Sequence, residues 1–217
     1  MTIYRVGILD DDESKIVEIV DNLSHAFTNM PQYSGYALKP LEISISSDCS
    51  ATVQNILAQN VECMIIDYNL SSFQVAGYNG ADVAYELWKH RKNMPVFMLT
   101  SFDEDMYEHE LFSAFQVFNY NRYLNENNEQ DNIHKKIVRV IEIYKKRIIE
   151  CERELTQLLE RRGENADIDS RILELDSELE ATLDGTHALS QKVKRDLSES
   201  NLLKLVECLD KLLEGND

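Results

Sequence analysis

Tyr4-Arg5-Val6-Gly7-Ile8-Leu9-Asp10-Asp11-Asp12 decides the fold. Its first six residues read as a short, mostly apolar strand, and three carboxylates follow at once. Two later runs repeat the pattern. Val61-Glu62-Cys63-Met64-Ile65-Ile66 ends in Asp67, and Pro95-Val96-Phe97-Met98-Leu99 ends in Thr100-Ser101. Short apolar runs bounded by polar residues suit strands that are buried on both faces. In an open α/β sheet, ligands bind outside the carboxyl ends of such strands. Three adjacent ends carrying acids and a hydroxyl predict a small, strongly negative pocket. Carboxylates crowded in this way call for a hard cation, and oxygen ligands suit Mg²⁺.

Between these runs lie helical patterns. Ile16, Val17, Ile19, Val20, Leu23, Ala26 and Phe27 recur at helical spacing after the first strand. Residues 30–39 read as a long loop, and Leu41-Glu42-Ile43-Ser44-Ile45 as an alternating strand. Helices are expected over 50–60, 81–91 and 103–115, with a long loop at 71–78. Strands alternating with helices predict a parallel sheet covered on both faces, joined by right-handed crossovers. Asn119-Tyr120-Asn121-Arg122-Tyr123-Leu124 is the best candidate for a fifth strand.

At these residues the chain resembles the receiver domain of two-component response regulators. The resemblance covers about residues 1–130. It rests on Leu9-Asp10-Asp11, on Ile65-Ile66-Asp67-Tyr68-Asn69-Leu70, on Asn79-Gly80 and on Val96-Phe97-Met98-Leu99-Thr100-Ser101-Phe102-Asp103. It implies a flavodoxin-like, doubly wound sheet of five strands in the order 2-1-3-4-5. It also implies that Asp67 accepts a phosphoryl group from a histidine kinase or a phosphotransfer protein. Asp11 would bind Mg²⁺ directly, Asp10 mainly through water, and the Asn69 carbonyl would be a further ligand. The Thr100 hydroxyl would contact the phosphoryl oxygens. The only catalysis implied is the domain's own Mg²⁺-dependent phosphoryl transfer and dephosphorylation. Physical chemistry agrees, because phosphoryl transfer depends mostly on positioning and charge neutralisation, and a carboxylate can be the nucleophile.

One family residue is missing. Receivers carry a lysine at the end of the fifth strand, three residues after an aromatic. With Tyr123 as that switch aromatic, Glu126 falls where the lysine is expected, and no lysine occurs between Lys92 and Lys135. Arg122 is nearby, but a guanidinium is not an equivalent point charge, and exposure to solvent is its ordinary state.

From Asp131 onward the strand signals stop. Ile133, Ile137, Val140, Tyr144, Ile148, Cys151, Leu155 and Leu158 form a heptad seam with one register break. The receiver's last helix is therefore expected to run on without a linker. The reading is a receiver over 1–130 and an all-α coiled-coil module over 131–217. Its helices are expected at about 131–161, 166–184 and 187–213. Ile168, Ile172, Leu175, Leu179 and Leu183 form the second helix's seam, and Gly185 suits its end. Short turns predict antiparallel neighbours. His134 reads as a structural residue beside the seam and His187 as a surface cap.

The net charge of −17 argues against nucleic-acid partners, which select basic patches. No apolar stretch approaches the ~20 residues that span a membrane, and the first residues show no signal peptide. Cys49, Cys63, Cys151 and Cys208 are widely spaced and read as free thiols, as in a reducing cytoplasm. Output would pass through protein contacts, with a homodimer formed through the helical module. Two other roles fit the same residues: a phosphate sink for a kinase, and a receiver-like adaptor that is not phosphorylated.

Overall fold

The computed structural model describes residues 1–71, 76–101 and 116–184. The chain divides into two compact units, Met1–Lys146 and Arg147–Asp217.

The first unit is built on a parallel sheet of five strands in the order β2-β1-β3-β4-β5. These are β1 (Thr2–Leu9), β2 (Tyr36–Glu42), β3 (Cys63–Ile66), β4 (Val96–Thr100) and β5 (Val117–Asn119). β3 and β4 are buried at every position, which is why their sequences run apolar without alternating. The helices are α1 (Glu13–Ser24), α2 (Cys49–Ala58), α3 (Gly80–His90), α4 (Tyr120–Asn125) and α5 (Asn127–Leu159).

Two cores flank the sheet. On one face Val6, Ile8, Ile65 and Phe97 pack with Ile19 and Leu23 of α1, Tyr123 of α4 and Ile137 and Ile141 of α5. On the other, Met64, Ile66 and Met98 pack with Val53 and Ile56 of α2 and Leu87 of α3. This alternation along each strand is the doubly wound arrangement, and with the strand order 2-1-3-4-5 it is the flavodoxin-like fold that the resemblance implies.

The second and fifth strands differ from the sequence reading. β2 begins at Tyr36 rather than Leu41, so the long loop is cut short by a 3-10 turn at Pro31–Tyr33. β2 pairs with β1 from Thr2↔Tyr36 to Ile8↔Glu42, and Pro40 stands opposite Val6. Tyr36 stacks on Tyr4 at 6.1 Å between ring centroids. Proline is compatible because β2 is an edge strand. β5 begins at Val117 and stops at Asn119, whose side chain accepts the Arg122 backbone N–H at 3.1 Å and caps α4. The run expected as a strand, 119–124, is thus almost wholly helical. The helix expected over 103–115 lies outside the described residues, as do residues 72–75 of the long loop.

α5 runs from Asn127 to Leu159 without a break. Within the second unit, α6 (Ala166–Asp184) follows a short turn at Gly163. Arg171 clasps Glu154 at 2.8 and 3.1 Å, and Arg147 donates to Glu178 at 2.8 Å. The paired positions step in opposite directions, so α6 lies antiparallel to the end of α5. Ile148, Cys151, Leu155 and Leu158 are half-buried between exposed neighbours. On α6, Ile168, Ile172, Leu175 and Leu179 are buried, whereas Leu183, expected in the same seam, is exposed at the end of the helix. The third expected helix, with His187 and Cys208, lies outside the described residues.

Candidate functional site

Asp10 and Asp11 follow β1, and Asp67 follows β3, which is paired with β1 up to Leu9↔Ile66. The Asp67 N–H donates to the Leu9 carbonyl at 2.9 Å, fixing the two ends beside each other. One carboxylate oxygen from each of Asp10, Asp11 and Asp67 lies within 4.8 Å of the others, and all three residues are buried. Thr100 ends β4, the next strand, and is also buried.

Asp67 is held from behind. Tyr68 accepts the Gly80 N–H through its carbonyl at 2.8 Å, bringing the start of α3 against the Asp67 backbone. A Cβ at position 80 would stand 2.1 Å from the Asp67 carbonyl oxygen. Only glycine permits that approach, which accounts for the Asn79-Gly80 pair. Asn79 caps α3 in a reciprocal box, accepting the Asp82 N–H at 3.0 Å while Asp82 accepts the Asn79 N–H at 2.9 Å.

The electrostatics are those of crowded acids. Burial, followed by the charge of Asp67, pushes the Asp10 carboxyl up to about 7, although the Asp12 N–H bonds it at 2.9 Å. Burial also raises Asp67, against the opposing pull of Lys15 and of the Tyr68 and Asn69 N–H groups. Oxygen donors at this spacing fit a hard divalent cation, with Asp10, Asp11 and Asp67 as its holders. Asn69 is the second residue after Asp67, and its side chain accepts the Ser71 N–H at 3.2 Å and the Ser71 hydroxyl at 2.9 Å. That leaves its backbone carbonyl as the group the resemblance would enlist.

The residues proposed for the fifth-strand end are elsewhere. Tyr123 is fully buried in α4, and its hydroxyl meets His134 Nε2 at 3.1 Å. It is a core residue, not an aromatic beside the acids. Burial lowers the His134 imidazole to about 4, so it sits in the core uncharged. Glu126 follows α4 as its C-cap, is 52% exposed, and bonds Arg122 at 3.3 Å. Because the chain turns helical at Tyr120, residues three to six positions later are carried away along a helix. The residue counted as the lysine's replacement therefore never reaches the strand end.

A cation does reach Asp67, from a residue the sequence reading passed over. Lys15 Nζ donates to Asp67 Oδ2 at 3.0 Å and stands 3.9 Å from Asp10 Oδ2, with its side chain 22% exposed. It also lies over the Tyr120 ring, 5.2 Å from its centroid. Burial would lower this ammonium, but the bond to Asp67 and the surrounding acids raise it. The signal available in sequence was local. Asp12 caps α1 and Lys15 falls in the first turn, where the helix dipole favours acids.

No protein-family model matches the chain, and no curated protein matches it. Among solved structures, the anti-anti-sigma factor PhyR from Bartonella quintana is 12% identical, with a TM-score of 0.45. The match covers 69% of this chain and about half, 51%, of that one. The RcsB response regulator of Salmonella typhimurium is 14% identical over 84% of this chain and 93% of that one, with a TM-score of 0.41. A trimeric coiled-coil segment of yeast Spc42 fused to another structure is 16% identical over 82% of this chain and 95% of that one, with a TM-score of 0.44. The sheet order and the acids at the ends of β1 and β3 have the form of a receiver domain.

Proposed function

We propose that the chain is a phosphoacceptor signalling protein, in which Asp67 takes a phosphoryl group from a histidine kinase or a phosphotransfer protein. The observation that carries this is the buried cluster of Asp10, Asp11 and Asp67 at adjacent strand ends. An Asp67 oxygen attacks the phosphorus of a phosphohistidine. The new O–P bond forms as the N–P bond breaks, and the imidazole leaves with the electron pair. The tight seat of Asp67 between the Leu9 carbonyl and the start of α3 holds that oxygen in line. A Mg²⁺ ion, held by Asp10, Asp11 and Asp67, would supply charge neutralisation for the incoming phosphoryl group. Thr100, buried at the end of β4, would donate its hydroxyl to a phosphoryl oxygen.

In this reading the protein acts catalytically on itself alone. It is cytoplasmic, and no described helix is long and apolar enough to cross a membrane. Output passes through protein contacts of the helical unit, which also makes a homodimer. The net charge of −17 favours a protein partner over a nucleic acid.

Incubation with Mg²⁺ and acetyl phosphate tests the site. An acid-stable, hydroxylamine-labile mass increase is expected on the native chain and none on Asp67→Asn. Failure of the native chain to gain mass would overturn the reading. Light scattering tests the assembly, since a mass near the chain's 25.1 kDa at micromolar concentration would reject the dimer.

A further inference from the structure

We infer that Lys15 positions Asp67 and binds the incoming phosphoryl group, doing from the start of α1 what a lysine at the end of the fifth strand does in other receivers. This rests on the phosphoacceptor reading of Asp67. The geometry has three parts. The ammonium donates to the acceptor oxygen itself, Asp67 Oδ2, at 3.0 Å. It is steered there by its own helix. Asp12 accepts the Ser14 N–H at 2.9 Å and the Ser14 hydroxyl at 2.5 Å, which seats the first turn of α1 beside the acids. It is also backed by β5's successor. Tyr120 places its ring under the ammonium and donates its hydroxyl to Glu18 Oε2 at 2.6 Å, one turn further along α1.

The position is otherwise unfavourable for a lysine. The first turn of a helix repels cations, and the side chain is largely withdrawn from water. The ion pair with Asp67 offsets both costs, and proteins break such local rules chiefly at functional sites. Among the described residues that follow β5, Asn119 caps α4, Tyr120 bonds Glu18 and Arg122 pairs with Glu126. Lys15 is the cation that contacts the acceptor among the described residues.

The chemistry follows. An ammonium has three N–H donors, and the Asp67 bond uses one. As an Asp67 oxygen bonds to phosphorus and the donor's P–O bond breaks, acetate leaves acetyl phosphate with the electron pair. Lys15 then donates to a phosphoryl oxygen and gives up no proton.

The test uses the full chain with Lys15→Met, Lys15→Gln and Lys15→Arg. Calorimetric titration with Mg²⁺ alone comes first. The two neutral variants should bind it severalfold more tightly, because a cation has left an acidic pocket. Phosphorylation by acetyl phosphate, read by intact mass, should then slow on the order of tenfold or more in both, with Lys15→Arg in between. Should Lys15→Met fail to fold, Lys15→Gln decides alone. Native rates in the neutral variants would overturn the role of Lys15 and leave the phosphoacceptor reading standing. No adduct on the native chain would overturn both.

Discussion

The ends of β3 and β5 sit two strands apart on one edge of the same sheet, yet they solve different problems. β3 is buried at all four positions, and the chain turns at Asp67 under the constraint of its bond to Leu9 and the close pass of Gly80. β5 has three residues, after which Asn119 caps a helix and the chain leaves the edge. One end holds a reactive group rigidly. The other supplies only a ring, Tyr120, against which a side chain from α1 rests. A strand end keeps its chemistry where both neighbours pin it. Where the strand lies at the sheet's margin, the same chemical need is met from a different element.

Breaking the β3 end should have the largest effect. Gly80→Ala would press a methyl group into the Asp67 carbonyl, Ile66 and Met98. A loss of about 3 kcal/mol or more is expected in denaturant unfolding, as for a severe overpacking change. Asp67 phosphorylation should fall with it. Native stability and rate in this variant would mean that the close pass does not hold the acceptor.

The β5 end is sharpened by pH. His134 anchors Tyr123 in the core with its imidazole lowered to about 4, against about 6.5 in an unfolded chain. Its stabilising contribution is complete above about pH 6.5. It is lost as pH falls toward 4, because only the unfolded chain takes up the proton in that window. The loss should approach about 3 kcal/mol, and His134→Gln should remove that slope. Asp10 acts in the opposite sense. Its folded value of about 7 makes the cation-free protein more stable in acid and less so as pH rises through 7. The native-minus-variant difference in urea melts isolates the histidine, and parallel slopes would place His134 outside the core.

Asp11→Asn should weaken Mg²⁺ binding at least about tenfold, roughly 1.4 kcal/mol, by removing a charged oxygen ligand. Calorimetry with an unchanged affinity would dismiss the acidic cluster as a cation site. The smallest effect is expected at Glu126, which is exposed and pairs with Arg122 of its own helix. Glu126→Lys should leave the phosphorylation rate unchanged and shift stability by less than about 0.5 kcal/mol. A faster rate would return this residue to the site.

What could be read from sequence follows the same contrast. β3, β4 and the second half of β1 are buried on both faces, so their apolar runs mark their ends to within a residue or two, and the acids that follow are already in register. The edges carry less signal. Tyr36-Ala37-Leu38-Lys39 precedes a proline and looks like the tail of a loop until its pairing with β1 and the stacking of Tyr36 on Tyr4 are seen. The aromatic and polar alternation of 119–124 mimics a strand, but Tyr120 and Tyr123 are spaced as one face of a helix, and both turn into the core. Lys15 was hidden for another reason. A charged residue in an early helical turn reads as solvated, and its value depends on an acid, Asp67, that arrives after a strand more than fifty residues later.

Pro40 has a consequence for the sheet as a whole. β2 closes one margin, and a margin strand ordinarily presents a row of peptide groups to any other chain that arrives extended. A proline in its middle has no N–H, and the exposed Lys39 and Glu42 set charges beside it. An incoming strand would find one rung of the ladder absent and charged groups flanking it. The sheet therefore ends at β2, and the same residue that made the strand hard to see in the sequence guards it against open-ended aggregation.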